Sequence, residues 1–159
     1  MTRITLIAIG CLLVACPSAD DDDSADPSVI YAFPEGDAVE SEPNESQATA
    51  TDLGVIGVEY AVTGASSPCG ASGTFDGADH DFLSFSLDTD QPVRFRLDMR
   101  GGDLDLAIFD DAGELIAEAT ETGLEDEELA LALDPERVWT ARIRCWQGND
   151  DAIWRLRLL

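Results

Sequence analysis

The stretch Val93-Arg94-Phe95-Arg96-Leu97-Asp98-Met99-Arg100 alternates strictly between apolar and charged side chains. Because successive side chains of an extended chain point to opposite faces, this period of two predicts a β-strand with one buried and one solvated face. Gly101-Gly102 follows and predicts a turn. The alternation then resumes over 103–108 with the apolar residues Leu104, Leu106 and Ile108. Two consecutive amphipathic strands are therefore expected here.

The same alternation recurs elsewhere in the chain, and turn-forming residues separate the segments. The Glu- and Ala-rich segment 118–133 also suits a helical turn, although Leu129, Leu131 and Leu133 favour a strand. In all, about eight short strands are predicted, which indicates an all-β protein built as an antiparallel β-sandwich. The further strand segments are 54–63, 73–75, 83–87, 114–119, 127–133, 139–145 and 153–158, and the turns include 90–92, 110–113, 134–135 and 148–150.

The N-terminus has the pattern of an export signal. A short positive region, Met1-Thr2-Arg3, precedes an apolar run from Ile4 to Val14, which is shorter than the roughly 20 residues of a spanning helix. The tetrad Leu13-Val14-Ala15-Cys16 resembles the lipobox of bacterial lipoproteins. That resemblance implies that Cys16 is acylated and becomes the mature N-terminus, so residues 1–15 are predicted to be a lipoprotein signal peptide. Asp, the inner-membrane retention residue, does not follow Cys16, which favours the outer membrane.

Residues 16–39 are predicted to be a disordered acidic linker between the lipid and the domain. They include the run Asp20-Asp21-Asp22-Asp23, and like charges keep such a segment extended and solvated. The folded domain is then expected over residues 40–159, a length sufficient for a hydrophobic core.

Composition excludes several classes of partner. The chain of 159 residues carries 33 Asp plus Glu against 9 Lys plus Arg, a formal net charge of −24, and all the basic residues are Arg. Nucleic-acid binding needs clustered cationic side chains, and the net negative charge of this chain would oppose such binding. The chain is therefore not expected to bind nucleic acid. Electrostatic docking on anionic lipid is disfavoured for the same reason, so membrane attachment is expected through the N-terminal lipid. Cations are the favoured small partners.

Cys69 and Cys145 are the two cysteines of the predicted domain. Because an exported chain meets an oxidising compartment, a disulfide between them is predicted.

The search for catalytic residues finds no recognisable set, and the chain is predicted not to be an enzyme. His80 is the only histidine, so a cysteine or serine nucleophile would have to use this one residue as its general base. A small carboxylate-dependent hydrolase stays open as a minor alternative, since the many acids allow a catalytic pair.

Acidic residues gather in two segments that suit a cation. Glu40, Glu42 and Asn44 share one side of an extended segment, with Glu45 adjacent, and calcium prefers six to eight oxygen ligands. The second segment, 76–82, carries Asp76 and Asp79 in a glycine-bearing turn before a strand. The pair Asp103 and Asp105 is a third acidic cluster.

The order of these motifs resembles the bacterial pre-peptidase C-terminal (PPC) domain. The resemblance rests on Glu42-Pro43-Asn44-Glu45-Ser46, then 72–75, Asp79-His80-Asp81-Phe82, and Gly102-Asp103-Leu104-Asp105-Leu106, and it is weaker after residue 112. It implies a jelly-roll-like β-sandwich that is not itself catalytic. Related collagen-binding modules hold calcium through equivalent acidic segments, so the resemblance implies a calcium site formed by Glu40, Glu42, Asn44, Glu45, Asp76 and Asp79.

The expected function is therefore a lipid-anchored protein of the cell envelope that displays a noncatalytic PPC-like binding or accessory module, with calcium as its only expected cofactor. An envelope protein or a polysaccharide is the expected partner. A calcium-responsive structural or assembly protein of the cell surface is the alternative.

Overall fold

The computed structural model describes residues 33–69 and 78–159, and for residues 149–151 it describes the backbone alone. The described part contains eight strands and no helix. It therefore holds no helix long and apolar enough to cross a membrane. The predicted signal peptide and most of the predicted linker lie outside the described residues. The strands are β1 (Ala38–Val39), β2 (Thr51–Ile56), β3 (Ala61–Ser66), β4 (His80–Leu87), β5 (Val93–Phe109), β6 (Leu115–Ala119), β7 (Glu127–Leu131) and β8 (Trp139–Leu158).

Two long strands, β5 and β8, run through both layers of a β-sandwich. The first half of β5 pairs with β7 and with the second half of β8, which pairs in turn with β3. The second half of β5 pairs with β6 and with the first half of β8, which pairs in turn with β4. The layers therefore have the strand orders β1-β3-β8-β5-β7 and β2-β4-β8-β5-β6. The all-β sandwich expected from the sequence is confirmed.

The edge strands β1 and β2 depart from the expected antiparallel pairing, because β1 pairs with β3 and β2 with β4 in parallel. The sheet also takes in Ala38–Val39, which the sequence assigns to the linker, since an edge strand needs only backbone hydrogen bonds. Just before β1, the ring of Phe33 lies 4.3 Å below the guanidinium of Arg100. The segment 54–63, expected as one strand, divides between β2 and β3 at a turn where Glu59 has a φ of 69°.

The predicted turns at Gly101-Gly102 and 148–150 are wrong, because both strands continue through these positions and bend. Inward-facing residues of β5 are odd-numbered up to Met99 and even-numbered from Leu104, so the register shifts between them. Gly101 has a φ of 84°, and a Cβ on Gly148 would lie 2.6 Å from the Cα of Gly102. A β-bulge of this kind bends a strand without ending it.

The core fills the space between the two layers. The rings of Phe85 on β4 and Phe95 on β5 lie 5.7 Å apart across this space. Trp154 on β8 is fully buried and its indole reaches β4 in the opposite layer. The predicted disulfide between Cys69 and Cys145 is confirmed, and its sulfurs pack against the glycines of the bend.

Candidate metal centre

The site begins with Asp81, an acidic residue on the core-facing side of β4. Its side chain shares that face with Leu83, Phe85 and Leu87 and is 0% exposed. Its Oδ2 accepts hydrogen bonds from Ser66 Oγ at 2.5 Å and from the Trp154 indole at 2.7 Å. Its Oδ1 has no hydrogen-bond partner among the described residues. A buried carboxylate oxygen without a hydrogen-bond partner destabilises the folded state unless a proton donor or a cation interacts with it.

The segment that follows β1 brings two further carboxylates to Asp81. The backbone N–H of Glu40 donates to Thr63 O at 3.0 Å, which continues the pairing of β1 with β3. The Glu40 carboxylate accepts from the Ala65 N–H at 2.5 Å and from the Asn44 side-chain amide at 3.1 Å. The Glu42 carboxylate accepts from the Asn44 backbone N–H at 3.0 Å. The bonds to Thr63 and Ala65 fix Glu40 beside β3, and the bonds from Asn44 connect the two glutamates.

Asn44 connects this segment to β4. The residue is 0% exposed, and its backbone carbonyl accepts a hydrogen bond from the Phe82 N–H at 3.0 Å. The amide nitrogen is used by Glu40, but Asn44 Oδ1 has no partner among the described residues. The site therefore contains two unpartnered buried oxygens, one on Asn44 and one on Asp81.

Oxygen atoms of Glu40, Glu42 and Asp81 lie within 4.8 Å of one another. We refer to these three residues as the acidic triad. Burial, followed by the charge of Glu40, raises the pKa of Asp81 to about 9. Burial also raises the pKa of Glu40 and of Glu42, and the charges of Asp79 and Glu45 raise the pKa of Glu42 further. Three such carboxyls need protons or a cation to share the site.

The donor set fits a hard divalent cation. Carboxylate and amide oxygens are the ligands that calcium takes, whereas zinc sites use sulfur or imidazole in most proteins. The Oδ1 atoms of Asn44 and Asp81 accept no hydrogen bond from the described residues, and an ion at the triad would replace the hydrogen bond between the Glu40 and Asp81 carboxyls. Gly64 makes room for this arrangement, because a Cβ at that position would collide with the Glu40 carboxylate and the Trp154 ring.

The structure brings together only part of the predicted ligand set. Glu40, Glu42 and Asn44 meet as expected. Glu45 is exposed and lines a different hollow, beside Phe82. Asp79 lies close enough to raise the pKa of Glu42 and Asp81, but its Oδ2 accepts from the Ser67 N–H at 2.9 Å and it is not part of the triad. The remaining predicted ligand, Asp76, lies outside the described residues.

Asp81 is the member of the acidic triad that is absent from the ligand set predicted from the sequence. The sequence does indicate that residue 81 faces the core, because the alternation of Leu87, Phe85 and Leu83 extends back to it with the same period of two. An aspartate in phase with the core is unusual, since isolated buried carboxylates are destabilising.

No protein-family model matches the chain, and no curated protein matches it. Among solved structures, it is similar to the pre-peptidase C-terminal domain of collagenase from Bacillus anthracis, with a TM-score of 0.49 and 12% sequence identity. That match covers 69% of this chain and 96% of the collagenase domain.

Proposed function

We propose that this chain is a noncatalytic binding or accessory module of the cell envelope, stabilised by a calcium ion at the acidic triad. The observation that carries the proposal is the meeting of Glu40, Glu42 and Asp81, with oxygens within 4.8 Å and with Asp81 completely buried. Asn44 Oδ1 would be the fourth oxygen of the site. A bound calcium ion would neutralise the negative charge of these carboxylates.

Burial argues for a structural rather than a catalytic role. A carboxyl with a raised pKa is what a general acid needs, and this favours the alternative of a small carboxylate-dependent hydrolase. A general acid must also touch its substrate, and the 0% exposure of Asp81 leaves no surface for one. Its bonds to Ser66 and Trp154 instead connect β4 to the opposite layer. Holding an ion here would therefore join the segment after β1 to β4.

The test is a thermal melt of the purified chain in chelator and in millimolar calcium. The proposal predicts a melting temperature that rises with calcium, because an ion that binds only the folded state stabilises it. Glu42→Gln should reduce the rise, whereas Glu136→Gln, an exposed position in the loop before β8, should keep it. Equal melting temperatures in chelator and calcium would refute the calcium site.

We further propose that Cys16 carries a lipid and that residues 16–39 hold the domain away from an outer membrane, where an envelope protein or a polysaccharide is its partner. The support is the lipobox-like tetrad 13–16 and the aspartate run that follows it. Cys16→Ser should move the protein from the membrane to the soluble fraction of cells. A variant that sediments with membranes as the parent chain does would contradict the anchor.

A calcium-responsive structural or assembly protein is the second candidate. Leu115 and Ile116, exposed on the edge strand β6, favour it, because an open strand edge can pair with another chain. Sedimentation velocity with and without calcium distinguishes the two. A calcium-dependent increase in mass supports assembly, and an unchanged monomer supports the accessory module.

A further inference from the structure

The hollow beside Phe82, which Glu45 lines, lies on the outer face of the layer with the strand order β2-β4-β8-β5-β6. Its volume is about 300 Å³. Its wall on the sheet is formed by Phe82 on β4, Arg142 on β8 and Phe109 at the end of β5. Because β8 pairs with β4 on one side and with β5 on the other, Arg142 stands between the two phenylalanines. The sheet therefore presents one cationic side chain with an aromatic ring on each neighbouring strand.

The opposite wall of the hollow consists of the segment 45–47 and of Gly113, which lies in the turn between β5 and β6. The side-chain amide of Gln47 donates to Asp110 O at 3.5 Å. Gly113 has a φ of 80°, and a Cβ at this position would lie 3.0 Å from Gln47 Oε1. Gln47 thus connects the segment 45–47 to the turn, and the wall that they form carries polar groups.

The guanidinium of Arg142 has no carboxylate partner among the described residues. Its Nε is buried and donates no hydrogen bond to any of them. Its Cζ lies 4.9 Å from the centroid of the Phe109 ring. An aromatic ring attracts a cation, but it supplies no oxygen acceptor for the five N–H donors of a guanidinium. A ligand with such an acceptor can therefore bind Arg142 without breaking a salt bridge within the described part of the chain.

The lack of a carboxylate partner is unusual for a half-buried arginine of this chain, which has 33 Asp plus Glu. Burial is the largest effect on the pKa of Arg142 and lowers it, and the charge of Arg144 lowers it further. The charges of Glu118 and Asp105 act in the opposite direction, from beyond salt-bridge distance. A half-buried guanidinium without an acceptor destabilises the folded chain, and an anionic ligand would relieve this. The arginines that do form salt bridges in the described part are Arg96, Arg137, Arg144, Arg155 and Arg157.

We propose that this hollow binds a uronic-acid residue of a polysaccharide, with Arg142 as the residue that holds its carboxylate. The N–H donors of a guanidinium form a fork that matches the two oxygens of a carboxylate. A pyranose ring has an apolar C–H face, which can lie against Phe82 or Phe109. Its hydroxyl groups can bond to Gln47 and to the Glu45 carboxylate on the opposite wall. About 300 Å³ is at the lower end of the range for ligand pockets and suits a single ring.

The charge around the hollow favours a carboxylate over a stronger anion. The net charge of −24 opposes every anion at long range, but physiological salt screens charges more than about 8 Å apart, so the groups in contact decide. Glu45 in the wall would repel a phosphate dianion more than a carboxylate, which carries one charge. The C-terminus of a peptide also offers a carboxylate, but it lacks the row of hydroxyl groups that suits the polar wall.

This inference deepens the binding function proposed above, because it names a chemical class for the polysaccharide partner. It does not depend on the acidic triad, since a guanidinium binds a carboxylate directly. The test is therefore made in calcium-free buffer, where a uronic acid cannot bind through a shared calcium ion. A failure here would leave the calcium melt unaffected, and a failure of the calcium melt would leave this test unaffected.

The experiment is an NMR titration of the purified, isotope-labelled chain with methyl glucuronoside and, separately, with methyl galacturonoside. The readouts are the side-chain Nε–H of Arg142, assigned with Arg142→Lys, and the backbone N–H of Gly113. Methyl glucoside and methyl galactoside have the same rings without the carboxylate and are the neutral controls. N-acetylphenylalanine represents a peptide C-terminus, and sodium chloride at equal ionic strength controls for screening.

The expected result is a saturable shift of both resonances with at least one uronoside and no saturable shift with its neutral counterpart. Arg142→Gln should weaken binding by about tenfold or more, as followed at Gly113, because it removes a charged hydrogen-bonding group. Arg94→Gln is the matched control, since Arg94 is exposed on β5 and the change in net charge is the same. This variant should bind as the parent chain does.

A second variant keeps the test independent of Arg142. Gln47→Glu places a negative charge in the exposed wall and should weaken binding by about fourfold, the effect of one charge at a separation of about 5 Å in water. An unchanged indole resonance of the buried Trp154 would show that each variant is folded.

The absence of a saturable shift with both uronosides, or equal affinities of Arg142→Gln and Arg94→Gln, would overturn the proposal. Tighter binding of N-acetylphenylalanine than of both uronosides would overturn the assignment to a sugar.

Discussion

Calcium binding at the acidic triad should release about one proton, and its apparent affinity should depend steeply on pH. The pKa of Asp81 is raised to about 9, so at pH 7 only about 1% of this carboxyl is ionised, by the factor of ten per unit of pH. A metal needs the deprotonated ligand. Between pH 6 and pH 8 the apparent dissociation constant should therefore fall by about 100-fold.

Isothermal titration calorimetry at pH 6, 7 and 8 measures this dependence, and paired buffers of different ionisation enthalpy count the protons released. Asp81→Asn has no proton to lose, so its residual affinity should change much less with pH. Glu136→Gln, an exposed position in the loop before β8, should behave like the parent chain. A dissociation constant that is the same at pH 6 and pH 8, or binding without proton release, would refute the reasoning.

The same carboxyl should make the chain less stable in chelator as pH rises. Because the folded-state pKa of Asp81 lies above its ordinary value of 3.8, protonation favours the folded state. This contribution is complete below about pH 4 and is lost as pH rises towards 9, at up to about 1.4 kcal/mol per unit. Melts of the parent chain and of Asp81→Asn at pH 5 to 8.5 isolate the effect as a difference between the two.

Three further predictions concern the sandwich itself. Replacing Cys69 and Cys145 together by Ala should lower the free energy of unfolding by about 4 kcal/mol, because the bridge spans a sequence separation of 76. Gly148→Ala should cost about 1–3 kcal/mol through overpacking, since the added Cβ would collide with the Gly102 backbone. Asp98→Asn should cost about 2 kcal/mol, since three arginines donate to its carboxylate. Urea denaturation measures all three.

Each of these has its own control. The cysteine prediction is contradicted if the parent chain and the double variant have equal urea midpoints under non-reducing conditions. For the bend, Gly54→Ala is the comparison, because its Cβ would meet open space and only the φ of 69° adds strain, about 1 kcal/mol. A smaller loss at Gly148 than at Gly54 would argue against the close approach.

For Asp98, the control is to compare the parent chain with Asp98→Asn at several pH values. Burial alone would raise its pKa, but the hydrogen bonds from Arg157, Arg155 and Arg96 lower it overall. The contribution is then present above about pH 4 and lost as pH falls through the lowered pKa. The difference between the parent chain and Asp98→Asn should shrink in acid, and a constant difference would contradict the ion-pair network.

The sandwich was predictable because its core strands are amphipathic. Along 93–99 and 104–108 the period of two selects the inward-facing residues correctly, and all of them are buried. The change from odd to even numbers between Met99 and Leu104 also indicates a bulge, but two adjacent glycines are just as typical of a turn. Local sequence cannot decide between them, because the bend depends on the strand and the disulfide that pack against it.

The candidate site was predictable only where its residues are close in sequence. Glu40, Glu42 and Asn44 belong to one short segment, and their common orientation follows from an extended backbone. Asp81 joins them through the pairing of distant strands, which no local pattern specifies. Glu45 is exposed and lines a different hollow, so its place in the ligand set stays a prediction.

The passage of β5 and β8 through both layers has a consequence for how the molecule opens. Each layer shares two of its five strands with the other, so neither layer can separate as an independent foldon. Amides in the two halves of β8 should exchange with deuterium at the rate of global unfolding and with the same denaturant dependence. Local opening is left to the short edge strands β1, β2, β6 and β7, and a cation held beside β1 would oppose the opening of that edge.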